Sequence, residues 1–273
     1  MELFRILLLL ALAALFGCAG DAQAQFMSAC RTTGICAEPL PPPIVGDLLV
    51  DVSLGAPTSV GIVSEDAGTL LAHVAHRPGS IVRLWVLGAH LEDTTSVYTV
   101  TVPHVRGRSP REKAAVESRF VSTETARVAT VIAPFFVRPR PRNSPIIEGI
   151  ARVAMADGYS LGRVLVVLTD GREVSSLLHA DFECARLLPT VAQFEGQLHE
   201  RRLLEPASLT GIEVVLARMS MPAIPGRNCP VGIARELHIR DLFNAALHSA
   251  GAARVEIQTE ALHLISTPST ERH

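Results

Sequence analysis

Val164–Leu168 (VLVVL) is an unbroken run of branched aliphatic residues that ends at Thr169-Asp170-Gly171. So short and apolar a run, closed by turn residues, suits a strand buried on both faces. Strands of that kind belong to parallel sheets covered by helices. The rest of the chain carries the alternation such a sheet needs. Leu48–Ser53 is a second apolar run that turns polar at its C-terminal end. Residues 59–76 place Ile62, Val63, Ala67, Leu70, Leu71 and Val74 on one helical face, and Pro78-Gly79 stops that helix. Ile81–Leu87 reads as a strand. Val97–Val102 alternates as a half-exposed edge strand does, with Tyr98, Val100 and Val102 on one face. Residues 110–136 read as helical in pieces. Ile146–Met155 reads as a helix with Ser144 as N-cap and Pro145 at its first position. Ile212–Leu216 is a further strand. Residues 233–249 form a helix that turns Leu237, Ile239, Leu242, Phe243, Ala246 and Leu247 inward and stops at Gly251. Val255 and Ile257 open a last strand. The expected fold class is α/β: a doubly wound, mostly parallel central sheet with one antiparallel edge strand and helices on both faces. In such sheets ligands meet the carboxyl ends of the strands. That singles out Asp51 and Ser53 after the first strand and Asp170 after VLVVL.

Composition sets outer limits. With 48% apolar and 19% charged residues the chain is globular in type, not disordered. A net charge of −2 argues against bulk electrostatic attraction to nucleic acid, so no nucleic-acid partner is expected. No long-period repeat points to a solenoid or propeller.

The N-terminus reads as an address. Ile6–Phe16 is an eleven-residue apolar run behind a short segment carrying Arg5. A spanning helix needs about 20 apolar residues, so this run is the core of a signal peptide. Leu15-Phe16-Gly17-Cys18 resembles a bacterial lipobox. That resemblance implies a signal peptide over 1–17 and lipidation of Cys18. The alternative is ordinary secretion with cleavage after Ala24, in Ala22-Gln23-Ala24. Both readings place the mature chain outside the cytoplasm, and membrane contact is expected through the lipid anchor only. Residues 18–43 read as a tether ending in Leu40-Pro41-Pro42-Pro43, 44–265 as the domain and 266–273 as a tail. Past Cys18 the chain has Cys30, Cys36, Cys184 and Cys229. An even number in an oxidising compartment suggests two disulfides, with three connectivities open. Cys30–Cys36 with Cys184–Cys229 is the simplest; free buried thiols are the alternative.

Asp51-Val52-Ser53-Leu54-Gly55 after one hydrophobic strand, and Val164–Glu173 (VLVVLTDGRE) after another, resemble a von Willebrand factor type A domain, itself a Rossmann-like architecture. The resemblance covers about residues 44–258, edge strand included. That family often carries a metal-ion-dependent adhesion site of pattern D-x-S-x-S, with a middle-loop threonine and a late aspartate. Carried over, the resemblance assigns Asp51, Ser53, Ser144 and Asp170 as ligands to Mg2+ or Mn2+, which take hard oxygen donors. It also implies a protein partner, with an acidic group completing the coordination. Gly55 departs from the pattern, because the expected serine hydroxyl is missing. The alternative is a metal-free domain of the same fold in an envelope assembly. Arg138, Arg140 and Arg142 sit just before Ser144 and would favour an anionic ligand at the rim.

Other motifs fail on context. Gly158-Tyr159-Ser160-Leu161-Gly162 fits G-x-S-x-G, but a helical pattern precedes it and the strand follows, the reverse of a nucleophile elbow. A hydrolase built on Ser160 is therefore the weakest reading. His199-Glu200-Arg201-Arg202-Leu203 lacks the second histidine of a zinc motif, so no zinc is expected. No P-loop or G-x-G-x-x-G supports a nucleotide. The expectation is a non-catalytic, extracytoplasmic binding module.

Overall fold

The first strand, β1 (Ile44–Val50), is buried at every position because it has a parallel neighbour on each side and helices on both faces. The computed structural model describes residues 40–56, 58–105, 109–156, 162–221 and 229–264. Cys18, Cys30, Cys36, Ser160 and the tail 266–273 lie outside the described residues. The described residues from Pro41 onward form one unit. After β1 come α1 (Val60–Ala75), β2 (Ile81–Val86), β3 (Thr95–Thr101), α2 (Pro110–Val137) and α3 (Ile146–Ala154). Then follow β4 (Gly162–Leu168), a two-stranded ribbon of β5 (Val174–Ser175) and β6 (Ala180–Asp181), α4 (Val191–Glu200), β7 (Ile212–Ala217), α5 (Ile233–Ser249) and β8 (Arg254–Ile257).

The main sheet has the order β3-β2-β1-β4-β7-β8, parallel throughout except for the antiparallel edge strand β3. This is the doubly wound α/β class expected from the sequence. Strand residues alternate between two cores even within VLVVL. Val164, Val166 and Leu168 face α1 and α2, together with Leu48 and Val50. Leu165 and Val167 face α3, α4 and α5, together with Leu49 and Trp85. At the contact with α3 there is no room for a side chain at Gly149, where a Cβ would lie 2.3 Å from Leu87 and 3.1 Å from Leu49.

Three local expectations change. The helix read as broken is one continuous α2 of 28 residues. Ser109 and Glu112 form a capping box at its start. Pro134 withholds only a last-turn hydrogen bond, so the helix continues to Val137. Leu237 of α5 is exposed, whereas Ile239, Leu242, Phe243, Ala246 and Leu247 are buried. Ser144 does not cap α3: Pro145 holds the N-cap position and offers no side-chain bond.

A buried charge cluster lies within the sheet. Asp47 of β1 has no exposed surface. Its carboxylate accepts from Arg83 Nε at 2.6 Å and Nη2 at 2.9 Å, from Trp85 Nε1 at 2.8 Å and from Arg163 Nη2 at 2.9 Å. Arg83 and Trp85 come from β2 and Arg163 from β4, so the carboxylate is satisfied only when three strands are in register. Removing one member of a buried ionic set costs more than the set contributes, because the remaining charges stay desolvated. Asp47→Ala is therefore expected to lower the unfolding free energy by about 3–5 kcal/mol in urea titrations. A loss below about 1 kcal/mol, the range of an exposed pair, would show that these charges reach water.

Candidate functional site

The chain leaves β1 in one direction towards β2 and β3, and leaves β4 in the other towards β7 and β8. The crevice at the carboxyl ends of β1 and β4 is therefore the topological switch point. Backbone pairing carries the ladder into it, with the Asp51 N–H donating to Leu168 O at 3.0 Å. This puts the Asp51 side chain beside the Thr169–Glu173 segment.

Asp51 is the hub. Its Oδ1 accepts the Ser53 N–H at 2.8 Å, which closes the turn after β1. Its Oδ2 accepts the Ser144 hydroxyl at 2.6 Å and the Thr169 hydroxyl at 3.1 Å. Three loops far apart in sequence thus converge on one carboxylate that is 1% exposed. Ser144 is pinned there by its backbone: its N–H donates to Val174 O at 3.1 Å, and its carbonyl accepts the Val174 N–H at 3.0 Å. The start of α3 is served instead by Glu173, whose Oε2 accepts the Ile147 N–H at 2.9 Å. Burial pushes the Glu173 carboxyl well above its ordinary range, and that hydrogen bond opposes the shift.

Asp170 is held differently. Its Oδ1 accepts the Arg172 N–H at 2.9 Å and its Oδ2 accepts Arg172 Nη1 at 2.8 Å. Gly171 makes this fold-back possible. Its φ is +84°, and a Cβ there would lie 2.5 Å from Met219. Asp170 is 1% exposed and Arg172 6%. Burial first and the charge of Asp51 second raise the Asp170 pKa to about 6, against the pull of Arg172.

All four residues assigned by the resemblance, Asp51, Ser53, Ser144 and Asp170, are buried at this crevice. The three loop arginines divide. Arg138 and Arg142 are exposed. Arg140 turns inward, donating from Nε to Val52 O at 2.9 Å and from Nη2 to Ala56 O and Thr58 Oγ1, both at 3.3 Å. Burial lowers its pKa and Asp51 pulls the other way. Sequence reasoning quoted Thr169, Arg172 and Glu173 without giving them roles. Their closeness to Asp170 in the chain was visible, but their side-chain directions depend on the turn at Gly171.

A cleft lined by Arg172, Phe182, Met221, Cys229, Val231 and Arg235 opens next to this cluster. Its wall is stapled by a Cys184–Cys229 disulfide, with Cα atoms 4.6 Å apart across 45 residues of sequence. Among the described residues, one group of His, Cys, Asp or Glu ligand atoms lies close enough together to suggest a metal: Glu183, Cys184 and Cys229. Its two sulfurs are already bonded to each other.

No protein-family model matches this sequence, and no curated protein does. Among solved structures, the chain is similar to the pilus adhesin SpaC from Lactobacillus rhamnosus GG, with TM-score 0.44 and 13% identity over 82% of this chain and 29% of that one. It is similar to a von Willebrand factor type A protein from Catenulispora acidiphila, with TM-score 0.37 and 13% identity over 79% and 38%. It is also similar to a point mutant of the PilB minor pilin from Streptococcus sanguinis, with TM-score 0.44 and 10% identity over 82% and 59%. The chain thus spans less than two thirds of each of these proteins.

The raised pKa of Asp170 has a sign that can be tested. The unfolded carboxyl titrates near 3.8 and the folded one near 6, so between these values the native chain holds more protons than the unfolded chain. The contribution of this group to stability is complete below pH 3.8 and is lost as pH rises to about 6. Urea midpoints measured across this range in EDTA are expected to show the native chain losing stability relative to Asp170→Asn as pH rises towards 6. Parallel profiles would mean that Asp170 titrates alike in both states.

Proposed function

We propose that this chain is an extracytoplasmic, non-catalytic protein-binding module of the von Willebrand factor A type. It meets its partner with the loops at the carboxyl ends of its strands. In this reading the lipobox-like Leu15–Cys18 and the proline-rich segment after it tether the module to a membrane.

The observation that carries the reading is where apolar surface is left uncovered. Eight large hydrophobic side chains are exposed among the described residues. Six of them, Leu54, Val137, Leu187, Val231, Ile233 and Leu237, belong to segments at the carboxyl end of the sheet. Leu54 is on the loop after β1. Val137 ends α2, next to the 138–142 segment, whose Pro141 carbonyl accepts the Leu54 N–H at 2.9 Å. Leu187 follows the disulfide, Val231 leads into α5, and Ile233 and Leu237 lie in the first turns of that helix. Single exposed hydrophobics are ordinary, but their concentration at one end, around a buried polar cluster, is what a protein-binding face requires. The interior supports binding over catalysis. The Ser144 and Thr169 hydroxyls, which donate to Asp51, are themselves buried, at 2% and 0% exposed, so neither is presented to a substrate as a nucleophile. The Cys184–Cys229 disulfide fits an oxidising compartment.

Photo-crosslinking in the cells that make the protein tests this. A photoreactive residue at position 54, 187 or 233 is expected to trap one discrete protein. The same residue at Met155, at the far end of α3, is expected to trap none. Equal labelling at both ends, or none at the loop positions, would overturn the reading.

A further inference from the structure

The carboxylate oxygens that the family resemblance assigns to a divalent cation already accept hydrogen bonds within this chain. Both oxygens of Asp170 are taken by Arg172, one through the guanidinium and one through the backbone N–H. Both oxygens of Asp51 accept from an N–H or a hydroxyl. Gly55 supplies no side-chain oxygen. The loop after β1, which in a metal site would wrap the ion, closes on a different cation. The carbonyls of Val52 and Ala56 and the hydroxyl oxygen of Thr58 all accept from the Arg140 guanidinium. Magnesium needs octahedral oxygen ligands at about 2.0–2.1 Å and keeps several waters. A buried cluster in which one carboxylate is paired with arginine and the other is filled by hydroxyl and N–H donors does not fit that requirement.

We infer that Arg172, together with Arg140 held against the loop after β1, is the resident cation of this loop face, and that the face is assembled without a divalent metal. The inference concerns the same loops as the proposed binding function and rests on that reading of them. Two buried aspartates need nearby positive charge. An exchangeable ion would make the loops sensitive to metal supply. An arginine, which stays protonated at any relevant pH, makes their arrangement permanent. The fork geometry of the guanidinium also fixes direction as well as charge, which a freely rotating ammonium does less well. Arg172 lines the cleft beside Arg235 as well. The residue that neutralises Asp170 therefore also forms part of the surface a partner would meet, and that contact is expected to survive chelators.

Mn2+ binding followed by electron paramagnetic resonance, together with thermal melts, tests this on the purified chain. The native protein is expected to leave the free Mn2+ signal and its own Tm unchanged. Arg172→Gln is expected to melt lower and to regain Tm saturably as Mn2+ is added, because Asp170 is then released to an ion. Adding Asp170→Asn to that variant should abolish the response. Arg172→Lys keeps the charge and should resist Mn2+ as the native chain does; it carries the comparison if the glutamine variant does not fold. Saturable Mn2+ binding by the native chain or by Arg172→Lys would overturn the inference, and so would a folded Arg172→Gln that ignores Mn2+. None of these results bears on the crosslinking pattern, so loss of this inference and loss of the binding function are separable.

Discussion

Asp47 lies in the central strand with no access to water, and its charge is met only when β2 delivers Arg83 and Trp85 and β4 delivers Arg163. This makes the three middle strands interdependent. An apolar strand can slip or pair partially at modest cost, but a half-neutralised buried carboxylate cannot. The register that satisfies Asp47 also places Val50 opposite both Val86 and Leu168. It therefore determines where the carboxyl ends of the strands fall and what meets there.

Four residues further along the same strand direction, Asp51 poses a second buried charge and receives a different solution. Hydroxyls from Ser144 and Thr169 and the Ser53 N–H surround it, while the neighbouring Asp170 takes Arg172. Neutral donors gather loops without adding charge, and the arginine offsets what remains. The result is a polar interior to the loop face that is closed to solvent. Its outer surface carries exposed aliphatic side chains and is braced by the Cys184–Cys229 bond. A rigid polar interior under an apolar rim can meet another protein with little ordering cost.

Local sequence misled where a remote group supplied the partner. Ser144-Pro145 before an apolar helix has the form of an N-cap and first turn, yet a backbone bridge to Val174 turns the hydroxyl towards Asp51. Glu173 then serves the helix start. Arg140 read as one of three equivalent loop charges. The carbonyls of Val52 and Ala56, which accept from its guanidinium, separate it from the exposed Arg138 and Arg142. Leu237 fits the apolar face of α5 by spacing, but it lies near the end of the helix that overhangs the core, so it stays exposed.

The sequence by itself determined the alternation of strands and helices, the buried character of β1 and β4, the edge position of β3, and which aspartates stand at the strand ends. Those features follow from periodicity and turn residues, which act over a few neighbours. Only the tertiary structure decided how the charges are neutralised. Asp47, Asp51 and Asp170 are each followed by residues that could have left them solvated. Their burial, and the choice of arginine or hydroxyl as partner, arise when strands distant in sequence come within hydrogen-bond reach. Desolvation and Coulomb energy depend on that three-dimensional arrangement and leave no periodic trace in the chain.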